Sequence, residues 1–161
     1  MIRTTLIAIL LVFTCSANAG HCVADTPALT SQWVHIHDND LDPPKSSVRR
    51  ALSDELFALL KKERACVVRE QGVCALDADI WTETQDGQIV GPITFQESER
   101  DDVSAVVKMN YKFSLEDNGK NAKNWSSTVR LIRKTQKSCW TVDDIVGPDG
   151  TSLKTLLRDY K

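Results

Sequence analysis

Residues 103–113 most constrain what this chain can fold into. Val103, Ala105, Val107, Met109, Tyr111 and Phe113 alternate with residues such as Ser104, Lys108, Asn110 and Lys112. A period of two puts each set on one face of a strand, so the segment reads as a half-buried β-strand. Such a strand needs neighbours beside it and a layer against its apolar face.

The neighbours follow from the turns. Ile93 and Phe95 lie on a preceding strand, joined through Glu99-Arg100-Asp101. Leu115 to Asn124 contains Asn118-Gly119, a hairpin signal, and a strand from Trp125 to Lys134 follows. Gln136-Lys137-Ser138 turns the chain into Cys139–Val146, which Gly147-Pro148-Asp149-Gly150 ends. The covering layer is helical. Thr26-Pro27 starts a helix carrying Leu29, Trp33 and Ile36. Val48, Leu52, Leu56, Leu59 and Leu60 recur at steps of four and three, one apolar helix face. Ser46 or Ser47 caps this second helix, which runs to about Arg64 and can reach Glu70, with Gly72 as its stop. Leu153, Leu156 and Leu157 mark a short closing helix. The predicted class is α+β: N-terminal helices on a four-stranded antiparallel meander, then a short C-terminal helix.

The first residues are of another kind. Arg3 precedes the apolar run Leu6–Phe13, and Ala17-Asn18-Ala19 follows with small residues. That is the layout of a secretory signal, predicted over residues 1–19, leaving 20–161 as one domain. The run falls short of the roughly 20 apolar residues of a membrane span. Val12-Phe13-Thr14-Cys15 also resembles a bacterial lipoprotein box, so lipidation at Cys15 is the competing route and would anchor the chain to a membrane. Otherwise the expected location is the periplasm or outside the cell.

The cysteines agree with export. Losing Cys15 turns five into four: Cys22, Cys66, Cys74 and Cys139. An even count in an exported chain reads as disulfides, and four cysteines allow three pairings. Cys66 with Cys74 would close a small loop, worth about 2–3 kcal/mol, and would leave Cys22 with Cys139. The spacings lack the paired C-x2-C of a zinc site. Composition adds exclusions. With 42% hydrophobic and 26% charged residues the chain is neither collagen-like nor disordered, and a net charge of -2 excludes a nucleic-acid binder working by bulk charge.

Three features carry a family resemblance. Leu76-Asp77-Ala78-Asp79 leads to Gln85-Asp86; a strand ends near Phe113 before a long hairpin; Trp140-Thr141-Val142-Asp143-Asp144-Ile145 runs through Pro148-Asp149-Gly150 to Ser152-Leu153 and Leu156-Leu157. Together they resemble a family of exported bacterial proteins of unknown function with the nuclear transport factor two-like cone fold. Only Trp33 stands in the first helix, where that family tends to carry paired aromatics. The resemblance implies a curved sheet partly wrapped around helices, a cone-shaped pocket, and for some members a role as candidate immunity proteins against toxins that attack the cell envelope.

Candidate chemistry is sparse. His35-Ile36-His37-Asp38 is the most metal-like run, yet on a helix the two histidines diverge and solvated residues at a helix end explain them. Asp77, Asp79 and Asp86 fail the calcium-loop pattern and read as turn formers. Asp143 or Asp144 could serve a cone enzyme as general base; the plainer reading is a strand carboxylate or a partner for Arg130 or Arg133. Asn124-Trp125-Ser126 fits a glycosylation acceptor, relevant only to a eukaryotic source. No phosphate loop, dinucleotide fingerprint or nucleophile elbow occurs, and no cofactor or metal is expected.

The leading expectation is a non-enzymatic binding protein, an immunity protein or similar, with a toxin or envelope protein as partner. Its contacts would come from loops: Asp40 and Asp42, Trp81 as an exposed anchor, Asn118 and Lys120 on the hairpin, and Asp149. The alternatives are a carrier of an apolar ligand in the cone pocket and the cone enzyme just described.

Overall fold

The structure, a computed structural model, describes residues 22–36, 46–116 and 118–160. Its elements are α1 (Thr26–Ile36), α2 (Ser46–Ala51), α3 (Asp54–Glu70), β1 (Gln88–Arg100), β2 (Ser104–Ser114), β3 (Lys123–Ile132), β4 (Thr141–Val146) and α4 (Leu153–Asp159). The four strands form one antiparallel sheet in the order β1-β2-β3-β4. The α+β class and the meander are as predicted.

The alternation in β2 works as expected, one step later than its first residue. Ala105, Val107, Met109, Tyr111 and Phe113 are buried, whereas Val103 belongs to the preceding turn and is exposed. That turn is organised by Asp101, whose carboxylate accepts from the Val103 and Ser104 amides at 2.7 and 2.6 Å and from Ser104 Oγ at 2.6 Å. The Ser104 hydroxyl and the two amides hold its carboxyl below the usual range. Register shifts interrupt β1 against β2 at 90–94 and 97–99, and β3 against β4 at 130–131. Such bulges bend strands, and the sheet curves.

One face of the curved sheet is covered. α1 packs on β1 and β2, α2 and α3 on β4, and α4 on β4 and α3. Trp33, Leu52, Leu56, Leu60 and Trp81 join the inward residues of β2 and β3 in one core.

The helix starts differ from the predicted ones. Asp25, not Thr26, caps α1: its carboxylate accepts from the Ala28 amide at 2.8 Å. Thr26 is fully buried, and its hydroxyl bonds Glu97 on β1. The predicted continuous helix from residue 46 is broken at 52–53. Leu52 makes a parallel bridge with Val142, and the Ser53 amide donates to the Val142 carbonyl at 2.8 Å. The Ser53 hydroxyl then caps α3 by accepting from the Leu56 amide. Gln71, left-handed at φ 52°, ends α3 just before Gly72.

Two disulfides close the fold, Cys66–Cys74 and Cys22–Cys139. They point to an oxidising, exported environment. Among the described residues no helix is long and apolar enough to cross a membrane.

Gly87 precedes β1 at φ +104°, and a Cβ there would lie 2.4 Å from the Phe113 ring and 2.7 Å from the Ser114 carbonyl oxygen. Gly87→Ala is therefore expected to lower stability by about 2 kcal/mol through backbone strain and overpacking. Urea unfolding checks this, and a loss below about 0.5 kcal/mol would contradict the close approach.

Candidate functional site

Two loops meet beside β4. The first, residues 76–84, is wound by its own hydrogen bonds. The Glu83 amide donates to the Asp79 carbonyl at 2.7 Å, and the Asp79 amide to the Thr84 carbonyl at 3.1 Å. Asp79 Oδ1 accepts from the Trp81 and Thr82 amides and from the Thr82 hydroxyl, all within 2.9 Å. Asp79 is thus the turn former that its residue type suggests. The second loop, 147–151, closes through Gly147 N–H to the Thr151 carbonyl at 3.0 Å, and Asp149 Oδ1 accepts from the Thr151 amide at 2.7 Å.

Glu83 joins the two loops. It holds a left-handed backbone at φ 55°, uncommon for a residue with a side chain. Its carboxyl lies over Gly147, where any Cβ would be 2.0 Å from Glu83 Cδ and Oε1. The Asp149 amide donates to Glu83 Oε2 at 3.1 Å. Burial and the adjoining Asp149 carboxyl push the Glu83 carboxyl up to about 7, while its hydrogen bond holds Asp149 below the ordinary value. The two carboxyls adjoin, and their shifts run in opposite directions.

Glu83 and Asp149 are common to the walls of two cavities. One, of about 170 Å³, has apolar walls from Leu76, Ile80, Leu153 and Leu156, with Asp77 and Asp79 among them. The other, of about 520 Å³, is lined by Thr82, Thr84, Asn124, Trp125 and Ser126. Among the described residues no lysine, arginine or histidine lines either one. The result is an open acidic cleft with apolar walls, divided by the carboxyl pair. Leu156 on its rim is 40% exposed, a large apolar group left to solvent.

A third hollow, about 650 Å³, lies between the start of α3 and the link from β3 to β4. Much of its charge is engaged. Arg49 and Lys134 pair with Asp54, while Lys154 bridges Glu55 at 2.6 Å and Asp143 at 3.1 Å. Arg133 stacks over Trp140 at 4.3 Å.

The expected contact residues scatter. Asp149 lies in the cleft. Trp81 does not form an exposed anchor: it is 2% exposed, packed edge-on against Trp33 at 5.2 Å, and its carbonyl oxygen receives Tyr111 Oη at 2.6 Å. An irregular stretch suggested exposure, but the loop folds inward and covers the sheet. Asn118 and Lys120 are exposed on the hairpin from β2 to β3, where Asn118 Oδ1 accepts from the Lys120 amide at 2.8 Å, and neither lines the cleft. Asp40 and Asp42, with His37 and Asp38, lie outside the described residues.

Asp143 and Asp144 are occupied by structure. Asp144 is buried and accepts from Ser152 Oγ at 2.7 Å and the Lys154 amide at 3.0 Å, organising the start of α4. It sits opposite Arg130 in register, but its carboxylate turns to α4. Among the described residues no group of three or more His, Cys, Asp or Glu is placed to hold a metal.

The central residue that sequence reasoning missed is Glu83. Its partner lies 66 positions away, so nothing local in Trp81–Gln85 marks it. Comparison with known protein families, with curated proteins and with solved structures found no match for this chain.

Proposed function

We propose that this chain is a periplasmic, non-enzymatic binding protein that offers its acidic cleft to a cationic, partly apolar segment of a protein partner. An immunity protein that occludes an envelope-attacking toxin is the role this reading favours. One observation carries it: the cleft combines apolar walls with the carboxyl groups of Asp77, Asp79, Glu83 and Asp149 and, among the described residues, carries no basic side chain. Charge complementarity of that kind steers a basic partner and selects against acidic ones. The disulfides support export, and the curved sheet with helices on one face supports a cone scaffold of the nuclear transport factor two-like kind.

The test is co-purification of residues 20–161 with the product of the neighbouring gene. A stable complex is expected, weakened at least about tenfold by Asp77→Lys. Asp77 is exposed, so that substitution should shift stability by no more than about 0.5 kcal/mol. Absence of a complex, together with cells that survive that product without this gene, would end the proposal.

A further inference from the structure

The two disulfides differ in what a reagent in solution meets. Cys66 and Cys74 are 8% and 7% exposed, enclosed between α3 and the loop that Glu63 ties to it. Cys22 and Cys139 are both exposed, and Cys139 also lines the hollow of about 650 Å³ between the start of α3 and the link from β3 to β4. Exchange with a thiol requires the attacking sulfur to reach a disulfide sulfur, so access selects the reactive bridge. We propose that Cys139 is a thiol–disulfide exchange site, which accepts a small, carboxylate-bearing thiol through this hollow.

The charge of the hollow selects an anionic reagent. Its walls carry Arg49, Arg50, Arg133 and Lys134 against Asp54, Glu55 and Asp143. These carboxylates are already engaged: Asp54 by Arg49 and Lys134, Asp143 by Lys154, and Glu55 by Lys154 and Arg158. Among the described residues Arg50 and Arg133 make no ion pair. Arg133 is nevertheless fixed in place. Its Nε and Nη1 donate to the Asp102 and Gln136 carbonyls at 2.8 and 2.9 Å, and its guanidinium lies over the Trp140 ring. Arg50 and Arg133 thus leave the hollow with positive charge in excess. That charge attracts a thiolate bearing further carboxylates and stabilises the thiolate that leaves.

The step balances without an outside oxidant. The incoming thiolate donates its electron pair to Cys139 Sγ, and the bond between Cys139 and Cys22 breaks. Its electrons leave on the Cys22 sulfur, which takes a proton from water. One thiol and one disulfide become a different thiol and a mixed disulfide. Attack falls on Cys139 because it, and not Cys22, lines the hollow. The exchange opens the loop of 117 residues and frees Cys22, ahead of α1, from the segment leading into β4, while the Cys66–Cys74 loop stays closed. A thiol therefore reaches the bridge whose loop closure contributes more to stability.

The experiment exposes the disulfide-bonded protein, without denaturant, to an acidic, an uncharged and a basic small thiol: thioglycolate, 2-mercaptoethanol and cysteamine. Each rate is divided by that thiol's rate on a small uncharged disulfide, which removes differences in intrinsic nucleophilicity. Acid quenching, alkylation and peptide mass spectrometry at early times locate the products. The mixed disulfide is expected on Cys139 with Cys22 alkylated, while Cys66–Cys74 remains intact. At low ionic strength the corrected rate should be at least about threefold higher for thioglycolate than for cysteamine, and the gap should close in about 0.5 M salt. Arg50→Glu changes an exposed side chain without an ion pair, so it should keep the fold and remove or invert that order. Earlier reduction of Cys66–Cys74, a first adduct on Cys22, corrected rates indifferent to thiol charge, or an order that survives Arg50→Glu would each overturn the proposal.

Discussion

Replacing Trp81 with alanine is expected to cost the folded domain about 3–5 kcal/mol, the range for emptying a buried tryptophan site. The indole is 2% exposed and meets Trp33 of α1 edge to face. Its backbone carbonyl gathers Tyr111 Oη of β2 and Ser127 Oγ of β3, which also touch each other at 2.9 Å. One residue of an irregular loop thus joins a helix and two strands, and truncation leaves a cavity among them. Trp81→Phe keeps an aromatic ring and should cost less than half as much. Urea unfolding reads the difference as a lower midpoint with an unchanged slope. The same experiment separates two roles. An exposed contact residue would leave the midpoint in place and lose only partner affinity, whereas a buried residue shifts the midpoint first.

The second large effect is an order between the two disulfides. Cys22–Cys139 spans 117 residues and Cys66–Cys74 spans 8. In the chain-entropy account the long bridge contributes about 5 kcal/mol and the short one about 2–3 kcal/mol. Cys22→Ser with Cys139→Ser should therefore destabilise the domain more than Cys66→Ser with Cys74→Ser. The short bridge also has local support: the buried Glu63 of α3 accepts from the Ala75 and Leu76 amides, both at 3.1 Å, and ties that loop to the helix independently of the sulfur atoms. Denaturant midpoints of the two double variants under non-reducing conditions decide it. A larger loss from the short bridge would show that loop closure is not what the long bridge supplies.

Much of the architecture was legible because its signals are local. The alternation in β2 reports burial on one face at every second residue, and the turns around 101 and 118 use side chains that bond their own backbone. The apolar steps through Leu52, Leu56 and Leu60 located a buried stripe. They could not reveal the break at 52–53, since the bridge from Leu52 to Val142 joins residues 90 positions apart. Ser53-Asp54-Glu55 was the one local hint, a cap followed by acidic residues in the first turn. Val103 was misplaced for the opposite reason: its residue type fits the strand pattern, and the Asp101 turn takes it out.

The candidate site was much less legible than the fold. Asp149 was recognised as a loop carboxylate, Asp77 and Asp79 as turn residues, and Glu83 not at all. What makes them a site is proximity, and hydrogen-bond networks between loops leave no period in a sequence. The sequence by itself determined the α+β class, the order of strands and helices, and four cysteines suited to two bridges, because periodicity, turn chemistry and cysteine number act over a few residues. Only the tertiary structure decided that Trp81 faces the core, that Asp144 starts a helix, and that Glu83 meets Asp149 over Gly147. Those outcomes depend on which distant surfaces exclude water together, and that is settled only when the whole core packs.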